Sequence, residues 1–188
     1  VFSVGKKALR ILDFDSEVRP MHYSEWRPEG QITAIAWSWV GEDLVHAQVL
    51  DQNLSNELNM LGLFLMAYNQ ADIVTGHYIR KHDLPLLNEH AVRMGLPPIA
   101  AKLTQDTQAD FTAIKSMGKS QDNLAVTFQL SESKHSMTGA EWREANKLTP
   151  EGQRLSMRRV MGDVRQHKAV RAELLHRGLL KAPRMWRP

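Results

Sequence analysis

This chain of 188 residues contains no cysteine, so neither a disulfide framework nor a thiolate-held zinc can form part of it. That absence suits a reducing, cytosolic setting. Long hydrophobic runs are missing too. The longest, around Met60–Ala67, falls well short of the ~20 apolar residues that span a bilayer. Nothing near Val1 has the pattern of a signal peptide, so the expected location is cytoplasmic, with no membrane association. Internal repeats, low-complexity tracts and interdomain linkers are also lacking, and the expectation is one domain over residues 1–188.

Acidic residues are scarce at one end only. From Glu151 to Pro188 there are ten Lys/Arg against three Asp/Glu, a local charge of +7 in a chain of net +3, which leaves −4 on the remainder. An acidic body with a basic C-terminal segment suits a polyanionic partner, nucleic acid first among them. A solvated basic helix face is the plain alternative. No protein partner is indicated.

The patterning predicts strands first, then helices alternating with short strands. Ala8–Phe14 reads as a first strand and Met21–Gly30 as a loop broken by Pro28 and Gly30. Gln31–Val40 alternates, with Ile32, Ala34, Ala36 and Ser38 on one side and Thr33, Ile35, Trp37 and Trp39 on the other. Leu44–Leu50 returns as a third strand, giving an antiparallel meander. Helices are expected over Asn56–Gln70, with Ser55 as N-cap, over Asp83–Met94 and within Gln121–Gln129 and Thr138–Ala145. A last long one starts at Thr149-Pro150-Glu151 and ends near Gly178. Short strands are expected at Ile73–Thr75 and Ala101–Thr107, and residues 179–188 read as a basic tail. The fold class is therefore α/β, a mixed central sheet (three-strand meander plus short strands) flanked by helices.

The chemistry concentrates near the N-terminus, in Ile11-Leu12-Asp13-Phe14-Asp15-Ser16-Glu17. A strand sends alternate side chains to one face, so Asp13, Asp15 and Glu17 would project together. Converging carboxylates repel unless a cation lies among them, and hard divalent ions take such oxygen ligands. A polar strand end running into a turn is the bland reading.

Two further stretches share that character: Gly76-His77-Tyr78 followed by His82-Asp83, and Val160-Met161-Gly162-Asp163-Val164. In order and spacing, the three segments resemble the DEDD superfamily of 3′–5′ exonucleases, which has a ribonuclease-H-like fold. The likeness is strongest to the branch related to family B polymerase exonuclease domains, where small stand-alone members are often phage-encoded. It covers roughly Ala8 to Leu180. The resemblance places the family's four metal-ligating carboxylates on Asp15, Glu17, Asp83 and Asp163. It implies two Mg²⁺ or Mn²⁺ ions and hydrolysis of single-stranded nucleic acid from the 3′ end, DNA favoured over RNA, in the host cytoplasm if phage-encoded. Two such ions roughly 3.5–4 Å apart can stabilise both the attacking and the leaving oxygen. Taken singly, Asp83 could be a helix N-cap acid and Asp163 the partner of a surface arginine. Asp13 is expected at the edge of the core or behind the ligands, and Asp106 is expected to be structural.

Departures from the family pattern matter. The helical Tyr or His that orients water in the family would stand at Arg159 or Arg158, and Arg stays protonated, so it cannot act as a base. Residues four apart share a helix face, so Arg159, Asp163 and His167 form a stripe, with Arg159 near the metals. Tyr78 and His82 replace the usual Asn and Phe. His135 is a candidate mobile base, and His77, Tyr78, Arg158 and Arg159 are candidate substrate contacts. Trp26 and Trp142 could stack on bases, whereas Trp37 and Trp39 suit a core; Lys115, Lys119, Lys134, Arg158, Arg165 and Arg171 could follow a phosphate backbone. The alternatives to an exonuclease are a ribonuclease or structure-specific endonuclease on the same fold, or a catalytically weakened nucleic-acid-binding module.

Overall fold

A computed structural model describes residues 8–20, 30–112, 114–132 and 134–188; Trp26, Pro28 and most of the expected loop after Met21 lie outside the described residues. Six strands form one mixed sheet in the order β3-β2-β1-β4-β5-β6. They are β1 (Ile11–Arg19), β2 (Gln31–Trp39), β3 (His46–Val49), β4 (Ile73–Gly76), β5 (Lys102–Asp106) and β6 (Arg184–Trp186). The expected antiparallel meander β1-β2-β3 is present, while β4 and β5 run parallel to β1. Five helices flank the sheet: α1 (Glu57–Gln70), α2 (Asp83–Arg93), α3 (Gln121–Thr127), α4 (Gly139–Ala145) and α5 (Pro150–His176). No helix among the described residues is long and apolar enough to cross a membrane.

Strand periodicity sorts the two faces. Leu12 and Phe14 of β1 point into the main core with Met60, Leu61, Phe64 and Tyr68 of α1 and Leu84, Leu87 and Ala91 of α2. The rings of Phe14 and Phe64 lie 5.0 Å apart, a tilted pair. On the opposite face Ala34 and Ala36 of β2, too small to hold a helix away, pack against Val160 and Val164 of α5. Ile32 was expected to share a side with these alanines, yet it joins Ile35 and Trp37 in the main core. The cause is a bulge: Glu17 pairs with Ala34 but Val18 with Ile32, so Thr33 is the extra residue that resets the alternation.

Caps and turns follow elementary rules, with two exceptions. Thr149 accepts from the Gly152 amide at the start of α5, Pro150 occupies the first turn, and Gly178 (φ +67°) ends the segment. Thr138 and Glu141 form a reciprocal capping box on α4. At α1 the N-cap is Asn56 rather than the expected Ser55, whose amide and hydroxyl turn back to Asp51. The expected tail is also corrected. Arg184–Trp186 adds an antiparallel edge strand to β5, tied down by an Arg184–Asp110 ion pair at 2.7 Å. Three residues flanked by prolines are too short to show a strand period in sequence.

Candidate active site

The site lies between β1 and α5, where two periods match. Two residues of strand advance roughly 6.6–6.8 Å and four residues of helix about 6.0 Å. The outward set Asp13, Asp15, Glu17 therefore meets the stripe His167, Asp163, Arg159 rung by rung, in opposite chain directions. On the first rung His167 Nδ1 is 2.7 Å from Asp13 Oδ2. On the third, Arg159 Nε is 3.4 Å from Glu17 Oε1. The middle rung brings Asp15 and Asp163 together, and with Glu17 they form a trio whose ligand oxygens all lie within 4.8 Å of one another.

Asp83, the fourth expected ligand, stands beside this trio and is not one of its members. As the first residue of α2 it is almost fully buried and accepts a hydrogen bond from Ser16 Oγ at 2.5 Å. Its charge reaches the trio nonetheless and raises the pKa of both Asp15 and Glu17. At the end of β4, Gly76 lets the turn that leads to Asp83 pass close to β1, because a Cβ there would lie 2.6 Å from the Phe14 carbonyl oxygen and closer still to Ile79.

Electrostatics set these acids apart from ordinary surface carboxylates. Burial, then the charges of Asp163, Asp83 and Glu17, pushes Asp15 well above the usual range, with Lys134 opposing. Burial and Asp163 raise Glu17 to about 8 against the pull of Arg159. Asp83 and Asp163 are also raised, burial being the main cause in both.

Two protein cations partly offset the repulsion. Lys134 Nζ is 2.9 Å from Asp163 Oδ1 and 3.1 Å from Asp122 Oδ1. Arg159 Nε approaches Asp163 Oδ2 to 2.6 Å, but its N–H is not aimed at that oxygen, and both atoms are buried without a hydrogen bond. Converging carboxylates with raised pKa values, a lysine ammonium among them and a buried oxygen free of hydrogen bonds suit a hard divalent cation. Asp15, Glu17 and Asp163 are the residues that could hold one.

The remaining expected residues fall into groups. Arg159 is in the site, over Trp142, with its guanidinium 5.9 Å from that ring centroid. His135 gives only its backbone there: its carbonyl accepts from Arg159 Nη1 at 2.9 Å, while its ring lies 3.0 Å from Glu141 at the start of α4. Arg158 points to solvent on α5. His77 packs on Thr107 at 2.9 Å. Tyr78 is 41% exposed with φ +66°, a left-handed conformation in which Asn is at home and Tyr is not, and its amide donates to Asp106. His82 is an exposed N-cap of α2. Asp106 proves structural, accepting also from the amides of Arg80, Gln108 and Ala109. Trp37 is core, stacked on His46.

Three functional-looking partners were missed. Lys134 was read only as a phosphate contact, His167 only as a member of the stripe, and Thr107 only as the end of a strand. Each meets its partner across a long sequence separation, which leaves no local signal.

No family profile matches this chain, and no curated protein does. Solved structures do match. One is the family B DNA polymerase of the hyperthermophilic archaeon Pyrobaculum calidifontis, with a TM-score of 0.60 and 20% identity over 90% of this chain. The chain spans about a quarter of that polymerase's length, the aligned part covering 25% of it. At this identity the likeness is one of fold, the α/β fold expected from the sequence.

Proposed function

We propose that this protein is a metal-dependent 3′–5′ exonuclease of the DEDD type acting on single-stranded nucleic acid, DNA in preference to RNA. The observation that supports it best is the trio Asp15, Glu17 and Asp163, with ligand oxygens within 4.8 Å of one another and Asp83 alongside. These four carboxylates would hold two Mg²⁺ or Mn²⁺ ions. Bound there, such ions supply an activated water and neutralise charge on the attacking and leaving oxygens of a phosphodiester.

The chain's own groups supply the rest. Arg159 places a permanent cation beside Glu17 and Asp163, where it can hold the scissile phosphate, and it takes no proton. Trp142 sets the plane of that guanidinium from below. His77 and Tyr78, in the turn between β4 and α2, lie at the carboxyl ends of the parallel strands, the usual ligand side of an α/β sheet. Tyr78 keeps a strained backbone and a half-exposed ring, a combination that suits stacking on a terminal base. The basic surface of α5 favours a polyanion.

A weakened, nucleic-acid-binding descendant is the second reading, favoured by Lys134, whose ammonium itself compensates the charge of Asp163. End-labelled single- and double-stranded DNA and RNA, incubated with Mg²⁺, Mn²⁺ or chelator, separates the two. Shortening from the 3′ end that needs metal and disappears in Asp15→Ala supports the nuclease. Tight binding without cleavage under either metal supports the descendant.

A further inference from the structure

Asp13, His167, Thr107 and His77 stand in one hydrogen-bonded line beside the carboxylate trio. His167 Nδ1 lies 2.7 and 2.9 Å from the two Asp13 oxygens. His167 Nε2 is 2.9 Å from Thr107 Oγ1, which is in turn 2.9 Å from His77 Nδ1. Asp13, His167 and Thr107 are fully buried, whereas His77 reaches partial exposure. The line thus runs from inside the protein to its surface, built from β1, α5 and the residues that follow β5 and β4.

The donors can be assigned from the chemistry of each group. A carboxylate only accepts, so His167 Nδ1 donates to Asp13. The Thr107 hydroxyl proton has two acceptors in reach, His167 Nε2 at 2.9 Å and the Gly76 carbonyl at 3.4 Å, and given to either it leaves the oxygen free to accept. The Thr107 oxygen accepts from His77 Nδ1–H, which leaves His77 Nε2 a bare acceptor. That end agrees with its neighbour: the Gln108 side-chain nitrogen, a donor, lies 3.5 Å from His77 Nε2. The opposite tautomer requires Thr107 to donate to His77 Nδ1, and it sets His77 Nε2–H against that same amide donor. Burial first, and charge on His167 second, lower the His77 pKa to about 4 and keep its ring uncharged.

The Gln108 contact is long, so His77 Nε2 retains capacity for a better donor. His77 sits directly after β4, whose Thr75 pairs with Asp13, and six residues before Asp83. We propose that Asp13, His167 and Thr107 are positioning residues that lock His77 in its Nδ1–H tautomer, so that Nε2 accepts a hydrogen bond from the terminal nucleotide of the substrate. The donor is a sugar hydroxyl or an exocyclic base amine. The substrate half rests on the nuclease reading above; the tautomer does not.

Long-range ¹H–¹⁵N spectra of the full chain read the tautomer directly. His77 Nε2 should be unprotonated in the wild type and in Thr107→Ser, and the single tautomer should be lost in Thr107→Val, which keeps shape and removes the hydroxyl. Fluorescence anisotropy with a single-stranded oligonucleotide in chelator reads the contact without turnover. Affinity should fall roughly fivefold in Thr107→Val and in His77→Phe, as for one lost hydrogen bond, and persist in Thr107→Ser. A 3′-deoxy end that erases the difference names the hydroxyl; a terminal thymine that erases it names the amine. An Nε2–H tautomer in the wild type overturns the relay. Unchanged affinity in both Thr107→Val and His77→Phe overturns the substrate contact alone. No nucleic-acid binding by the wild type at all overturns the nuclease reading and the contact together, and leaves the tautomer result standing.

Discussion

Lys134 Nζ lies 2.9 Å from Asp163 Oδ1, so an ammonium already occupies part of the space in which the acids converge. It opposes the rise in the pKa of Asp15 and of Asp163, the role a bound cation would take over. Removing one partner of a buried pair leaves the other charged and poorly compensated. Lys134→Ala should therefore destabilise the chelated protein by about 2–3 kcal/mol. With saturating Mn²⁺ the penalty should shrink to under about 1 kcal/mol, because metal binding favours the folded state. Thermal melts in chelator and in Mn²⁺ check this. Equal penalties in both would mean that Lys134 and metal do not compete for the same carboxylates.

The pH dependence of the metal-free protein follows from two opposed shifts. Glu17 is raised from 4.5 to about 8, so between those values the folded state holds a proton that the unfolded chain has lost. Its contribution to stability is complete below the lower value and is lost as pH rises towards the higher. His77 is lowered from 6.5 to about 4, so its contribution runs the other way and is lost as pH falls through that window. The range from about pH 6.5 to 8 isolates the acids. There the chelated protein should melt at progressively lower temperature as pH rises, and Mn²⁺ should bind more tightly while releasing protons. A melting temperature that climbs across that range in chelator would contradict the burial argument.

Arg159 and His135 were both candidates for the position next to the reacting water, and the structure separates them. Arg159 touches Glu17 and Asp163, while the His135 ring touches Glu141. Arg159→Ala should reduce turnover roughly tenfold to hundredfold, the usual cost of removing a group that stabilises developing charge. His135→Ala should leave turnover within about twofold, as for a side chain away from the chemistry. Single-turnover rates on a labelled oligonucleotide compare the two. The reverse ranking would return the proton to His135.

How far this site was legible in the sequence depended on period and distance. The acids of β1 and the stripe on α5 each follow a local repeat of two or four residues, so their faces could be read separately. The sheet's meander and the cap at Thr149 were equally local. What joins the two faces is tertiary. Asp13 and His167 are 154 positions apart, and nothing in either neighbourhood announces the other. Lys134 sits in a polar loop and was legible only as a phosphate contact, yet the backbone there packs tightly against α5: a Cβ on Gly162 would lie 3.3 Å from Lys134 Cα. The bulge at Thr33 and the three-residue β6 were hidden for a related reason, since one extra residue or a single short strand breaks the repeat that reveals a face.

Asp15 carries the sharpest conflict between stability and the proposed activity. Its carboxyl is raised by burial and by three other acids, so ionising it is costly unless a metal is present. Asp15→Asn keeps the shape and removes the charge. In chelator the variant should be more stable than the wild type, by about 1–2 kcal/mol at pH 8, where the wild-type acids are pressed to ionise, and by much less at pH 5. The rise in melting temperature that Mn²⁺ gives the wild type should disappear, and cleavage should fall by several orders of magnitude. Differential scanning calorimetry at both pH values, with and without Mn²⁺, tests the first two effects independently of any substrate. A variant that is less stable than the wild type in chelator at pH 8 would show that Asp15 is a structural anchor, and the case for a metal site built on its strained ionisation would fall with it.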